Sequence, residues 1–184
     1  MKVTGFFKAA LVGGLLLSAI STAQAAGMQV SSSSFSDGGT IPATHAGDAT
    51  ACGGKGVSPQ IAWTNLPAGS RSVAVMIVDP DGAKGSGVNH WVVYNVDATR
   101  GQLKEGEAQA DIPGVTVGKN VAGVAAYRGM CPPVGDRPHH YVMTVIATDI
   151  DPGTLPAALS REELMARLKG HTLGGQSVVG LYGV

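Results

Sequence analysis

The stretch that decides the fold reads RSVAVMIVDPDGAKGSGVNHWVVYNV over residues 71–96. Its apolar run at 73–78 is unbroken and consists of β-branched, small and flexible side chains. Such a run leaves no face for water, which is typical of a strand buried on both sides. The sequence therefore predicts a central strand around which the rest of the chain packs.

A polar turn and a second strand follow directly. In the turn DPDG at 79–82, proline removes a backbone donor and glycine tolerates positive φ. The next strand is predicted over 90–96 and begins with His90. Because a short loop joins the two strands, Asp79, Asp81 and His90 should arrive at the same end of the pair. Polar groups that a rigid scaffold presents in this way indicate a binding site.

Residues 1–25 have the pattern of a secretory signal peptide. Two lysines precede an apolar run at 9–20, and small residues close the segment. The alternative is a membrane anchor, but the run is shorter than the roughly 20 residues needed to span a bilayer. We expect export across the inner membrane to the periplasm. The mature chain, residues 26–184, has 184 − 25 = 159 residues, which suits a single domain.

The charge of the mature chain excludes some partners. Removing the signal peptide takes away two lysines and no acid, which leaves 13 − 2 = 11 basic against 13 acidic residues, a net charge of −2. This balance offers no electrostatic footprint for nucleic acid or an anionic membrane surface. A charged fraction of only 14% gives little repulsion between copies and favours a homodimer.

Only two cysteines are present, Cys52 and Cys131, and both belong to the predicted mature chain. In an oxidising compartment an even pair most simply forms a disulfide. Two buried free thiols, or metal ligands, are the alternatives. A metal site would need further soft or imidazole ligands nearby.

A further core strand is predicted over residues 139–149, HHYVMTVIATD, because the run alternates and is rich in β-branched residues. It too opens with histidine. Alternation sends only one of the two histidines inward. We expect His139 to point inward with Tyr141 beside it, and His140 to point outward.

The strongest helix signal covers residues 160–170. Ser160 and Glu163 have the spacing of a capping box, and Gly170 marks the end. The predicted apolar stripe of this helix consists of Leu164, Met165 and Leu168.

Weaker patterns complete the chain. An edge strand is predicted within 28–36, a half-buried strand at 58–63 and a final strand at 176–184. Residues 97–120 sustain neither a helical nor a strand period, so we expect a long loop that walls the site.

Familiar catalytic motifs do not fit. The segment GGKG at 53–56 is no phosphate loop, because Ala49 stands where glycine is required and Gly56 where serine or threonine is required. The sequence contains neither a Gly-x-Ser-x-Gly elbow nor a His-Glu-x-x-His pair. We therefore predict no catalytic residues, no cofactor and no metal.

Two separated blocks carry a family resemblance. The first is DPDG at 79–82 followed by HWVV at 90–93, and the second is GMCPPVGDRPHHY at 129–141. Together they resemble the signature blocks of the phosphatidylethanolamine-binding protein family, in its bacterial branch similar to Raf-kinase inhibitors. The likeness extends from about Phe35 to Tyr182.

The resemblance implies a mainly β fold, an antiparallel β-sandwich with one C-terminal helix and long loops around an anion pocket at one end. When the positions of the two blocks are matched to the family pattern, the resemblance also implies which residues line that pocket. The implied ligand-binding residues are Asp79, Asp81, His90, Gly129, Pro132, Pro133, His139 and Tyr141.

The chemistry of these residues agrees with the implied ligand. Imidazoles and a tyrosine hydroxyl can donate to phosphate oxygens, while aspartates fix imidazole tautomers or pair with an ammonium group. The expected function is an exported small-ligand-binding protein for phosphate, phosphoethanolamine or a carboxylate, with modulation of a protein partner as a further expectation. Two alternatives remain: a metal-binding sandwich that uses His90, His139 and Asp79, and a hydrolase of phospho-compounds using Asp and His. Turn capping by Asp79 and Asp81, and a purely structural role for His90, also remain open.

Overall fold

The computed structural model describes residues 1–2 and 27–184. The predicted signal peptide, and the anchor considered as its alternative, fall almost wholly outside the described residues. Within the described part of the chain, no helix has both the length and the apolar character to cross a membrane.

The described chain is mostly β, as predicted. Its one helix of more than a single turn is Arg161–Leu168, called here the C-terminal helix, and short 3-10 turns occur at Ala43–His45 and Ala98–Arg100. A single turn at Gly82–Gly85 contains two residues in the left-handed region, Ala83 and Lys84. The strands are β1 Gln29–Ser31, β2 Ile61–Thr64, β3 Ser72–Asp79, β4 Val88–Asp97, β5 Gln102–Leu103, β6 Thr116–Val117, β7 His139–Thr148 and β8 Thr172–Tyr182.

The strands within residues 27–184 form two antiparallel sheets. The larger has the order β6-β4-β3-β7-β8 and the smaller the order β1-β2-β5. β3, the strand from the organising stretch, lies at the centre of the larger sheet, paired with β4 and β7. A central strand receives neighbours on both edges, so its backbone hydrogen bonds are made within the sheet.

β3 separates two hydrophobic cores. On one face Val73, Val75 and Ile77 join a cluster that includes Ile61 and Trp63 of the smaller sheet, so this cluster lies between the sheets. On the other face Ala74 and Met76 join a cluster that includes Leu164 and Leu168 of the C-terminal helix. The organising strand is thus buried on both sides, as predicted.

The C-terminal helix begins as its sequence predicts. The Ser160 side chain accepts a hydrogen bond from the Glu163 backbone, and the Glu163 side chain accepts one from the Ser160 backbone. The predicted stripe was wrong at Met165, whose side chain is exposed while Leu164 and Leu168 are buried. Eight helical residues cover only a narrow part of the sheet, so two apolar positions are enough to fill the contact.

Two further predictions need correction. Residues 97–120 are not free of strands, because β5 pairs with β2 and β6 pairs with β4. Strands of two residues are too short to show a period. β8 begins at Thr172, ahead of the predicted start at residue 176, because it pairs along the whole length of β7.

Candidate ligand-binding site

The topology places three predicted site residues at one end of the larger sheet. β3 ends at Asp79, β7 begins at His139, and His90 lies near the start of β4. Both neighbours run antiparallel to β3, so the end of β3 lies beside the start of each. The three side chains are buried, with exposures of 3%, 7% and 4% for Asp79, His139 and His90.

Asp79 has two structural tasks. Its Oδ1 accepts hydrogen bonds from the backbone nitrogens of Asp81 at 2.9 Å and Gly82 at 3.0 Å. Its Oδ2 lies 2.8 Å from Nδ1 of His139. Asp79 therefore caps the turn and also contacts a second predicted site residue, so a role in the turn and a role in the site are compatible. A Cβ at Gly82 would lie 2.9 Å from Asp79 Oδ2, so the turn needs glycine to keep the carboxylate in place.

His139 lies between two carboxylates. Nδ1 contacts Asp79, and Nε2 lies 3.6 Å from Oδ2 of Asp136. Burial disfavours the charged ring, but the hydrogen bond and charge of Asp79, with help from Asp81 and Asp136, outweigh it and raise the pKa of His139. The ring is thus prepared to carry a positive charge in a buried position.

His140 points outward, as the alternation predicts, and binds Asp81. The Asp81 carboxylate accepts hydrogen bonds from the His140 backbone nitrogen and from its Nδ1, both at 2.8 Å. These two bonds lower the pKa of Asp81. Asp81 borders the predicted pocket, but one of its oxygens is committed to a histidine outside it.

His90 is held from the opposite side of the site. Its Nδ1 lies 2.9 Å from the backbone carbonyl oxygen of Arg128. Because a carbonyl only accepts, Nδ1 carries the proton, and Nε2 is the nitrogen left for a ligand. Burial lowers the pKa of His90 despite the favourable bond to Arg128. His90 is therefore a neutral acceptor at pH 7, and its pKa is shifted in the direction opposite to that of His139.

Tyr141 contributes an unusual hydroxyl. The side chain is 1% exposed, and its ring meets the edge of the His90 ring with centroids 5.3 Å apart. Within the described residues its hydroxyl has no hydrogen-bond partner. Burial and the nearby Asp79 raise the pKa of this hydroxyl, so it stays protonated. A buried polar group without a partner costs free energy, and a ligand could supply the missing acceptor.

These side chains border one cavity of about 380 Å³. All eight residues implied by the resemblance line it, with Gly129, Pro132 and Pro133 forming one wall. Sequence reasoning missed three charged neighbours that also line it, Lys84, Arg128 and Asp136. Arg128 directly precedes the second sequence block, and Asp136 lies within it. Their positions in the sequence could therefore have indicated that both residues lie near the pocket.

A disulfide anchors the wall. Cys52 and Cys131 are bonded, as predicted, and this excludes the free-thiol and metal-ligand alternatives for them. Beside the bond, the Gly47 nitrogen donates to the Met130 carbonyl oxygen at 2.8 Å. A Cβ at Gly129 would overlap the backbone of the same loop. The wall and the loop 47–52 are thus packed backbone against backbone.

The metal alternative finds no ligand set here. Among residues 27–184, no group of three or more His, Cys, Asp or Glu side chains is arranged to hold a metal ion. Nδ1 of His139 and Oδ2 of Asp79 are hydrogen-bonded to each other.

Comparisons with known proteins cover most of the described chain. A family model described as phosphatidylethanolamine-binding protein matches residues 31–183. The UPF0098 protein YbcL of Escherichia coli (strain K12) is 38% identical over 144 residues, 76% of this chain and 79% of its own length. The UPF0098 protein of Aquifex aeolicus (strain VF5) is 34% identical over 156 residues, 84% of this chain and 88% of its own.

Solved structures agree with these matches. The crystal structure of Escherichia coli YbcL, described as a new member of the mammalian PEBP family, has a TM-score of 0.79 and 31% identity, and covers 86% of this chain and 99% of its own. A putative phosphatidylethanolamine-binding protein homologue from Chlamydia trachomatis has a TM-score of 0.73 and 28% identity, with coverage of 86% and 98%.

Proposed function

Since the chain belongs to the phosphatidylethanolamine-binding protein family, we propose that it is an exported binding protein for a small anion. The ligand is phosphate, a phosphoethanolamine head group or a carboxylate. It binds in the cavity between Asp79, His90, His139 and Tyr141 without being transformed.

One observation carries this proposal: the buried Tyr141 hydroxyl lacks a partner among the described residues. The hydroxyl can donate one hydrogen bond to a ligand oxygen. His139 can donate another from Nε2, because Asp79 raises its pKa. Two donors bordering one cavity match an anion with several oxygens. Nε2 of neutral His90 adds an acceptor, which suits a ligand that keeps one proton on an oxygen.

A hydrolase is the second candidate, and the Asp79–His139 hydrogen bond favours it. A carboxylate that orients an imidazole is a common acid–base arrangement. In a hydrolase, His139 would take a proton from water at Nε2. This function requires turnover of a phospho-compound, which a binding protein does not show.

Location and assembly complete the proposal. The disulfide supports a periplasmic location, because such bonds persist in oxidising compartments. The low charged fraction supports a homodimer. Light scattering on the mature chain at high concentration tests the dimer, and a monomer mass would contradict it. A protein partner modulated by the ligand-bound form remains part of the proposal.

The deciding experiment is an NMR titration of the protein comprising residues 26–184 with phosphate, phosphoethanolamine and acetate. We expect saturable shifts of the His90 and His139 ring protons with at least one of them, and smaller shifts at His140. Phosphorus spectra of the same phosphoethanolamine sample report hydrolysis, since released phosphate gives a separate signal. Absence of saturation with all three ligands would contradict the binding function, and release of phosphate would support the hydrolase.

A further inference from the structure

The side chain of Asp136 occupies the place at which a ligand should meet His139. Nδ1 of His139 is taken by Asp79, so Nε2 is the only ring nitrogen left for an anion. Asp136 Oδ2 lies 3.6 Å from that nitrogen. A negatively charged oxygen of the ligand would compete with this carboxylate for the N–H group at Nε2 of His139.

Asp136 can leave this position without a large penalty. Its side chain is 53% exposed, so rotation toward solvent buries no charge. The backbone is fixed separately, because the Asp136 nitrogen donates to the Pro133 carbonyl oxygen at 3.1 Å. Gly135 supports this turn with a φ of 88°. The carboxylate can therefore move while the wall stays in place.

The charges around His139 make the competition selective. Two carboxylates contact the ring, those of Asp79 and Asp136, and the charge of Asp81 also acts on it. Lys84 and Arg137 line the outer opening of about 400 Å³ that Asp136 also borders, and a displaced Asp136 would find these cations near it. Repulsion between Asp136 and a ligand grows with the charge of the ligand, so a dianion experiences it more strongly than a monoanion.

We propose that Asp136 is a specificity-determining residue that acts as a built-in competitor for the anion site. Its carboxylate lies beside His139 Nε2, and a ligand must displace it to bind. It therefore lowers the affinity for anions in general, and for dianionic phosphate most of all. This inference rests on the proposed function of the same pocket.

The test compares the wild type with Asp136→Asn and Asp136→Ala by NMR titration with inorganic phosphate, phosphoethanolamine and acetate. Both variants should bind phosphate about five- to tenfold more tightly, as expected for removing one partly exposed like charge near the ligand, and acetate with a smaller gain. Asp136→Asn introduces a new amide donor, whereas Asp136→Ala introduces none. A gain in affinity in both variants therefore comes from loss of the carboxylate and not from the new donor. Glu162→Gln, which removes one charge from the C-terminal helix, is the control and should leave affinity unchanged.

A second readout needs no ligand. The pKa of His139 in the empty protein should fall in both Asp136 variants, because a carboxylate beside Nε2 is lost, and stay unchanged in Glu162→Gln. Unchanged phosphate affinity in the Asp136 variants, with a wild type that binds, would overturn the role of Asp136 alone. A selective loss of phosphoethanolamine binding would also overturn it, since Asp136 would then hold the ammonium group. If phosphate, phosphoethanolamine and acetate all fail to bind the wild type and the variants, the proposed function itself is wrong.

Discussion

The Asp81 carboxylate accepts two hydrogen bonds from one residue, His140, through the backbone nitrogen and through Nδ1, both at 2.8 Å. This pair ties the turn after β3 to the start of β7 from outside the pocket. His140 is therefore a histidine with a structural task, although it is adjacent to His139 in sequence. The contrast between the two neighbours gives the site its best internal control.

Replacing histidines one at a time should separate the pocket from its surroundings. His139→Ala removes a charge-assisted donor and should weaken phosphate binding by about 1.5 to 3 kcal/mol. His90→Ala should cost less, because burial keeps that ring neutral. Calorimetry of each variant with phosphate measures both losses.

His140→Ala is the matched control for this series. It removes an exposed imidazole and one bond to Asp81, and should change affinity least. Equal losses at all three histidines, or no loss at any, would mean that the pocket is misplaced.

Anion affinity should depend on pH through His139. Its pKa lies above the ordinary value of 6.5, so the charged donor is fully present below about 6.5 and is lost as the pH rises through the raised pKa. Affinity should fall over the same interval, as measured by phosphate titrations at several pH values. Affinity that rises with pH across this range would contradict the assignment.

The stability of the empty protein should show two opposite contributions. The Asp79–His139 pair stabilises the fold below pH 6.5 and loses this effect as the pH rises through the raised pKa of His139. The pKa of His90 is lowered, so its contribution is present above pH 6.5 and is lost as the pH falls through that lower pKa. Denaturant unfolding of His90→Gln at several pH values should show a weaker loss of stability in acid than the wild type.

Tyr141→Phe should affect stability and binding in opposite directions. Removing a buried hydroxyl that lacks a partner among the described residues should leave the free energy of unfolding unchanged or raise it by about 1 kcal/mol. Phosphate affinity should fall, because one donor of the pocket is lost. Denaturant unfolding and calorimetry on the same samples test this. Tyr94→Phe, whose lost hydroxyl donates to the Pro156 carbonyl oxygen at 2.7 Å, is the control and should lower stability while leaving affinity unchanged.

The disulfide should stabilise both the fold and the wall. Cys52 and Cys131 are 79 residues apart in sequence, and the chain-entropy model assigns about 4.5 kcal/mol to closing such a loop. Unfolding of Cys52→Ser/Cys131→Ser against the wild type measures this difference. Thiol titration of unreduced, denatured protein should find no reactive thiol, and two would contradict the bond.

The parts predicted from sequence are those that local pattern determines. The run at 73–78 required burial on both faces, alternation placed His139 inward and His140 outward, and Ser160 with Glu163 required a helix start. The structure shows all three. Each depends on side chains within a few residues of one another.

The parts that were not predicted depend on contacts between distant segments. Nothing near His90 in sequence indicates that the Arg128 carbonyl holds its ring. The pairing of Asp81 with His140 joins residues 59 positions apart. β6 exists only because β4 offers it an edge. Met165 follows an apolar pattern, but its exposure is decided by how far the C-terminal helix reaches over the sheet.

The double burial of β3 also determines how the site should respond in hydrogen exchange. Amides of a strand with neighbours on both edges and a core on both faces open only with global unfolding, so the segment that ends at Asp79 should be among the slowest to exchange. The turn that carries Asp136 is exposed over residues 133–138 and should exchange faster than β3 through local opening. A bound ligand should therefore slow exchange in both segments: in this turn because it suppresses local opening, and in β3 because it raises the free energy of global unfolding.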